Sequence, residues 1–213
     1  MKIEELVEKY GTPFSVQLGI DLSSGKNGEI VKWFLASILY GKPIRENSAT
    51  TTYKSFESNN TSTVEAIVNS TWDRLVRILD EGSYTRYDFS TATKLLEVFQ
   101  NLKREYKSDL WNLYNASKNS QDLEKRLKSL GKGIGDTTIS IFLREMQEVW
   151  PKADPKITPL VSLVMEKLKI KDLKTFARRR RLDPIRLQVA LLRLGKDFLK
   201  KGKTIEIQLN STE

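Results

Sequence analysis

A chain of 213 residues with 39% hydrophobic and 30% charged side chains has the size and composition of one large folded domain or two small ones. It contains no Cys and no His, which excludes disulfide scaffolds, thiol catalysis, zinc and iron–sulfur ligation by those residues, and histidine acid–base chemistry. Proton transfer, if any, falls to Asp, Glu, Lys or Tyr. The net charge of +9 is uneven: residues 1–70 carry 7 basic and 8 acidic side chains, residues 71–150 carry 13 and 12, and residues 151–213 carry 16 and 7. The surplus lies in the last 63 residues and peaks at Arg178, Arg179, Arg180 and Arg181, which favours a polyanionic partner, duplex DNA first. The alternative is a solvated basic face.

The segment Met1–Tyr10 (MKIEELVEKY) is acidic and amphipathic, unlike a signal peptide, and no run of about eighteen apolar residues follows it. A soluble, cytoplasmic protein is expected, nucleoid-associated if prokaryotic, with no membrane partner. Apolar residues recur at helical spacing through nearly the whole chain, as in Ile30, Trp33, Phe34, Ile38 and Leu39, or Leu95, Leu96, Phe99 and Leu102, so the expected fold class is all-α. Helices are predicted over 2–10, 27–40, 45–57, 62–68, 70–79, 89–105, 108–116, 120–129, 136–148, 156–168, 171–178 and 183–200. Gly11 to Gly28 reads as an irregular linker, and Thr204 to Leu209 alternates like one short strand. Asp88 or Ser90, Ser120, and Asp183 before Pro184 are the expected caps.

Between two of these helical patterns stands Leu127-Lys128-Ser129-Leu130-Gly131-Lys132-Gly133-Ile134-Gly135-Asp136-Thr137-Thr138. Gly-Ile-Gly before an apolar helix suits a tight reversal in which φ turns positive or another backbone comes close. The next helix then begins with backbone N–H groups facing outward, and these, with the helix dipole, suit a phosphate oxygen without reading sequence. An ordinary glycine-rich turn between two helices is the other reading.

Taken with its surroundings, this stretch resembles the helix-hairpin-helix DNA glycosylase superfamily, of the endonuclease III type. Gly133-Ile134-Gly135 and Thr138 match the family's hairpin, Asp154 follows Gly133 by 21 residues just past Trp150-Pro151, and Trp33 to Thr50 and Glu81 to Leu95 match segments upstream of it. The resemblance covers roughly residues 27 to 168 and implies two helical lobes with a cleft between them: 27–150 as a six-helix barrel ending in the hairpin, and 1–26 with 151–213 as the second lobe. It implies no cofactor, since the family's cluster-binding cysteines are absent, and no metal. A monomer acting on duplex DNA is expected.

The resemblance makes Asp154 the catalytic carboxylate, which would stabilise the developing sugar cation or activate water once the base has been flipped out. The residues themselves also allow Asp154 to be the N-cap of a helix with Pro155 at its first position, and a shifted alignment would put Thr158 in its place. Bifunctional relatives carry a Schiff-base Lys where this chain has Thr137, so a monofunctional hydrolase is implied, with Lys132 and Lys156 as the nearest alternative amines. The implied DNA contacts are Lys132, Gly133, Ile134, Gly135, Asp136, Thr137, Lys156 and Arg178 to Arg181, and Tyr40 and Tyr87 are picked for the base pocket. Pro43 stands where relatives fill the gap left by the flipped nucleotide, a task that would pass to Lys42 or Arg45. A catalytically silent DNA-binding protein and a protein-interaction domain are the competing readings.

Overall fold

The structure is a computed structural model that describes residues 1–199, with side chains through Asp197. Its helices are α1 (Ile3–Tyr10), α2 (Phe14–Gln17, one turn), α3 (Asn27–Tyr40), α4 (Glu46–Ser58), α5 (Val64–Val68), α6 (Trp72–Glu81), α7 (Asp88–Tyr106), α8 (Leu110–Ala116), α9 (Ser120–Ser129), α10 (Asp136–Met146), α11 (Pro159–Lys167), α12 (Leu173–Arg180) and α13 (Pro184–Leu194), with a 3-10 turn at Leu22–Ser24 and a π turn at Gly195–Leu199. The fold is all-α, and no strand occurs among the described residues. The strand expected at 204–209 lies outside them.

The chain divides into two compact units, residues 18–155 and residues 1–17 with those from 156 on. The larger unit therefore begins earlier and ends later than 27 and 150. Leu18, Ile20 and Leu22 are buried, Trp111 donates its indole N–H to the Gly25 carbonyl at 2.8 Å, and the Asn27 amide bridges Ser108 and Leu110. At the other end Trp150 and Ala153 are buried.

The core of the larger unit is built on α3 and α7. Helix α3 is apolar on almost every face, with Ile30, Trp33, Phe34, Leu35, Ile38 and Leu39 all buried, because it is surrounded by other helices. The Trp33 indole donates to the Phe142 carbonyl at 3.0 Å, and Phe34 meets the Phe142 ring edge-on at 5.1 Å. Helix α7 spans 19 residues and buries Thr91, Ala92, Lys94, Leu95, Val98, Phe99 and Leu102. That stripe is regular except that it contains a lysine.

In the smaller unit α13 packs on α1, α11 and α12. The segment read as a linker is ordered here: Arg193 donates to the carbonyls of Tyr10 and Thr12 at 2.7 and 2.6 Å and to Gln17 at 2.9 Å, and its guanidinium stacks on Phe14. A long-range side chain supplies the bonds that this Gly- and Pro-containing stretch does not supply locally. Asp183 caps α13 through Ile185 and Arg186 with Pro184 at the first position, as expected. Asn119, not Ser120, caps α9, and α7 begins at Asp88 with no side-chain cap on its flanking Tyr87.

Candidate nucleic-acid interface

The reversal between α9 and α10 is fixed at both ends by burial. Leu127, Leu130 and Ile134 are buried while Lys132, Gly133, Gly135, Asp136 and Thr137 face solvent. The positive φ falls on Gly133 (+86°), not on Gly135, which is extended at φ −100° and flanks α10 as its N-cap. A Cβ on Gly135 would meet nothing within 4 Å, and no side chain caps α10. The first turn of that helix thus keeps an open approach to its backbone N–H groups, the arrangement that suits an anion. Lys128 pairs with Asp136 beside this turn.

One face of α7 grips the turn from behind. Lys94 donates to the Gly133 carbonyl, the Glu97 carboxylate accepts from the Lys132 N–H at 3.3 Å, Val98 packs so close to Gly131 that a Cβ there would lie 2.7 Å from it, and the Asn101 amide donates to the Leu130 carbonyl at 2.8 Å. Positions 94, 97, 98 and 101 are i, i+3, i+4 and i+7, neighbours on one helix surface. Lys94 is 5% exposed. Burial pushes its ammonium down to about 8, and the nearby charge of Lys42 adds to the effect. The signal in the sequence is a lysine on the buried stripe, four residues before Val98.

Asp154 is exposed, at the end of an anchored turn. Trp150 is fully buried, stacked on Tyr114 at 5.0 Å and edge-on to Trp111 and Phe142. The Lys152 ammonium donates to the carbonyls of Tyr114 and Ser117 at 2.9 and 2.6 Å, and the Ala153 N–H returns to the Trp150 carbonyl at 2.7 Å. The expectation that Asp154 is a helix N-cap with Pro155 at the first position is corrected: α11 starts at Pro159, with Thr158 as its flanking residue. A proline disfavours helical backbone at the residue before it and cannot donate to the carbonyl four residues back, so Pro159 blocks a helix begun at Pro155. The Thr158 hydroxyl is buried without a hydrogen-bond partner.

The remaining predicted residues fall on other elements. Lys156 is exposed but belongs to the smaller unit. So do the four arginines, which end α12 with Arg181 in the left-handed conformation. Successive helix positions point about 100° apart, so they fan around the axis and do not form one stripe. Arg178, Arg179 and Arg181 are exposed, whereas Arg180 reaches Glu4 at 3.4 Å and lies over Phe176. The Tyr40 hydroxyl shares a 2.7 Å hydrogen bond with Thr50, which ties the end of α3 to α4. Half-buried Tyr87 has the Lys42 ammonium 5.6 Å and the Arg86 guanidinium 5.4 Å from its ring centre. Neither Arg86 nor Lys94 is marked out by the motif, because neither lies near the hairpin in the chain.

Comparison with protein-family models, curated proteins and solved structures finds no significant match. Among the described residues no helix is long and apolar enough to cross a membrane.

Proposed function

We propose that this chain is a DNA repair glycosylase of the helix-hairpin-helix type, which hydrolyses the N-glycosidic bond of a damaged or mismatched base flipped out of duplex DNA. The observation that supports the reading most is the hairpin: a left-handed Gly133 pinned from α7, an extended Gly135 with open space where a side chain would stand, and a helix start without a side-chain cap. Such a turn accepts a phosphodiester through backbone N–H groups, which positions a protein on DNA without selecting a sequence. The division into two compact units supports the two-lobe arrangement that the resemblance implies.

In this reading Asp154 is the carboxylate that stabilises the sugar cation or activates water, presented by a turn that Trp150 and Lys152 hold in place. Thr137 has no amine, so the product is an abasic site and not a strand break. Tyr40 and Tyr87 remain the candidates for contacting the extruded base. The test is a panel of duplexes, each with one lesion or mismatch, assayed for base release together with a salt titration of binding. Release from one member with steeply salt-dependent binding is the expected result.

A specific observation favours a second reading. Asp154 is exposed, while a carboxylate tuned for acid or base work usually sits where water is partly excluded. If the protein binds duplex DNA and releases no base from any member of the panel, it is a catalytically silent DNA-binding protein.

A further inference from the structure

Three segments distant in sequence meet beside the hairpin. The Tyr84 hydroxyl donates to the Leu39 carbonyl at 2.7 Å, which fixes the chain entering α7 against the end of α3. Gly41, just past that end, stands so close to α10 that a Cβ on it would lie 2.3 Å from the Thr138 hydroxyl. Lys94 reaches across from α7 to Gly133. These contacts bring the end of α3, the start of α7 and the hairpin together: Lys42 and Arg86 lie over the Tyr87 ring at 5.6 and 5.4 Å, while Lys94 stands on the Gly133 carbonyl, where the charge of Lys42 also acts on it.

Among the described residues none of these three cations forms an ion pair with a carboxylate. Two acids close to them in the chain are otherwise engaged. Asp88 accepts from the Phe89 N–H at 2.5 Å, and Glu97 accepts from the Lys132 N–H at 3.3 Å. Like charges gathered in this way repel, and an anion among them turns the repulsion into attraction. The guanidinium of Arg86 offers a planar fork that fits two phosphate oxygens, and the lysines add point charge.

We propose that Lys42 and Arg86 form, around Tyr87, a second phosphate site that takes a phosphodiester of the same DNA strand next to the one gripped at the start of α10, with the buried Lys94 adding its charge from behind. The inference rests on the DNA-binding reading above. Lys94 is buried behind the hairpin with its ammonium on the Gly133 carbonyl, and from there it contributes charge without touching the strand. Two anion sites on neighbouring segments would take two phosphates of one strand, whereas an isolated anion would fill only one of them.

The experiment follows the Lys94 side-chain resonances of the full chain by NMR as pH is varied, alone, with inorganic phosphate and with a short unmodified duplex. DNA binding by Lys42→Ala, Arg86→Ala and the double variant is titrated against salt in parallel. Bound duplex is expected to raise the Lys94 midpoint by about one unit, since a phosphate favours the charged amine. Each single variant should bind several-fold more weakly. Because all the groups serve one phosphate, the double variant should lose only about 0.9 from the slope of log K against log[salt]. Parent affinity and slope in the double variant, with an unmoved Lys94 midpoint while duplex is bound, would overturn the site and leave the DNA-binding reading intact. A midpoint moved by inorganic phosphate and not by duplex would overturn the strand contact in favour of a free phosphate ligand. No duplex binding by the parent chain at low salt would overturn the reading on which the site depends. Melting curves of each variant, and Arg86→Lys, which keeps the charge and loses the fork, separate a binding defect from a folding one.

Discussion

The Lys94 ammonium donates to the carbonyl of Gly133, 39 positions away, from inside the buried stripe of α7. A charged group is costly to bury, and this one is stationed against the one residue of the hairpin whose φ is positive. The bond gives the left-handed turn an external support that a glycine-rich loop lacks by itself. Lys94→Met keeps the length and apolar stem but removes the donor. It is expected to weaken duplex binding, and amide hydrogen exchange at Gly133 to Gly135 should speed up, measured on a variant shown to be folded.

The same residue sets an alkaline signature. The ammonium is held down to about 8 in the folded chain against 10.5 as the ordinary value, mainly by burial. The unfolded chain therefore binds more protons between those pH values, and stability rises with pH from about 8 toward 10. Tyr53 and Tyr84 act in the opposite sense higher up: burial raises both phenols above their ordinary 10.0, so stability falls once the unfolded tyrosines ionise above pH 10. Denaturant melts across this range should show a rise and then a fall in the parent. In Lys94→Met the rise is expected to vanish and the fall to remain.

The two hairpin glycines are expected to fail differently. Gly133→Ala forces a side chain into the left-handed region, at about 1–2 kcal/mol of stability. Gly135→Ala carries no such strain, since its φ is −100° and its Cβ would point into open space. It should melt like the parent and bind DNA more weakly, because the methyl stands where the phosphate approaches. Equal DNA affinity for Gly135→Ala and the parent would remove the hairpin from the interface.

The arginines at the end of α12 divide in the same manner. Replacing exposed Arg178, Arg179 and Arg181 by Ala should leave the melting temperature nearly unchanged and flatten the salt dependence of DNA binding by up to about 0.9 for each phosphate no longer neutralised. Arg180→Ala breaks the pairing with Glu4 and uncovers Phe176. It is expected to lower stability by less than about 1 kcal/mol, as partly exposed pairs do, with less effect on the slope than the others.

Most helices were legible because burial imposes its period directly on the sequence: Trp33, Phe34, Ile38 and Leu39 of α3, and Leu95, Phe99 and Leu102 of α7, lie where their spacing puts them. The ordered stretch from Gly11 to Gln17 was not legible, since Arg193 supplies its bonds from the far end of the chain. The start of α11 is ambiguous in the sequence because two prolines, Pro155 and Pro159, each offer a helix start, and the second forbids the first. Of the candidate interface, Gly133 to Thr138 could be read from local spacing. The placement of Lys42 and Arg86 over Tyr87, with Lys94 behind the hairpin, could not, because only the packing of α3, α7 and α10 sets it.

The proposed chemistry is tested most directly by single-turnover base release from lesion-containing duplexes, comparing the parent chain with Asp154→Asn. The parent is expected to release a base from at least one lesion or mismatch. The product should be cut only after alkali or heat, and borohydride should trap no protein–DNA adduct, because Thr137 holds the position of the Schiff-base lysine. Asp154→Asn should bind the same duplex as well as the parent or slightly better, having lost one negative charge, while release falls about 100-fold or more. Parent-level release from Asp154→Asn, or no release by the parent from any duplex it binds, would contradict the glycosylase assignment of Asp154.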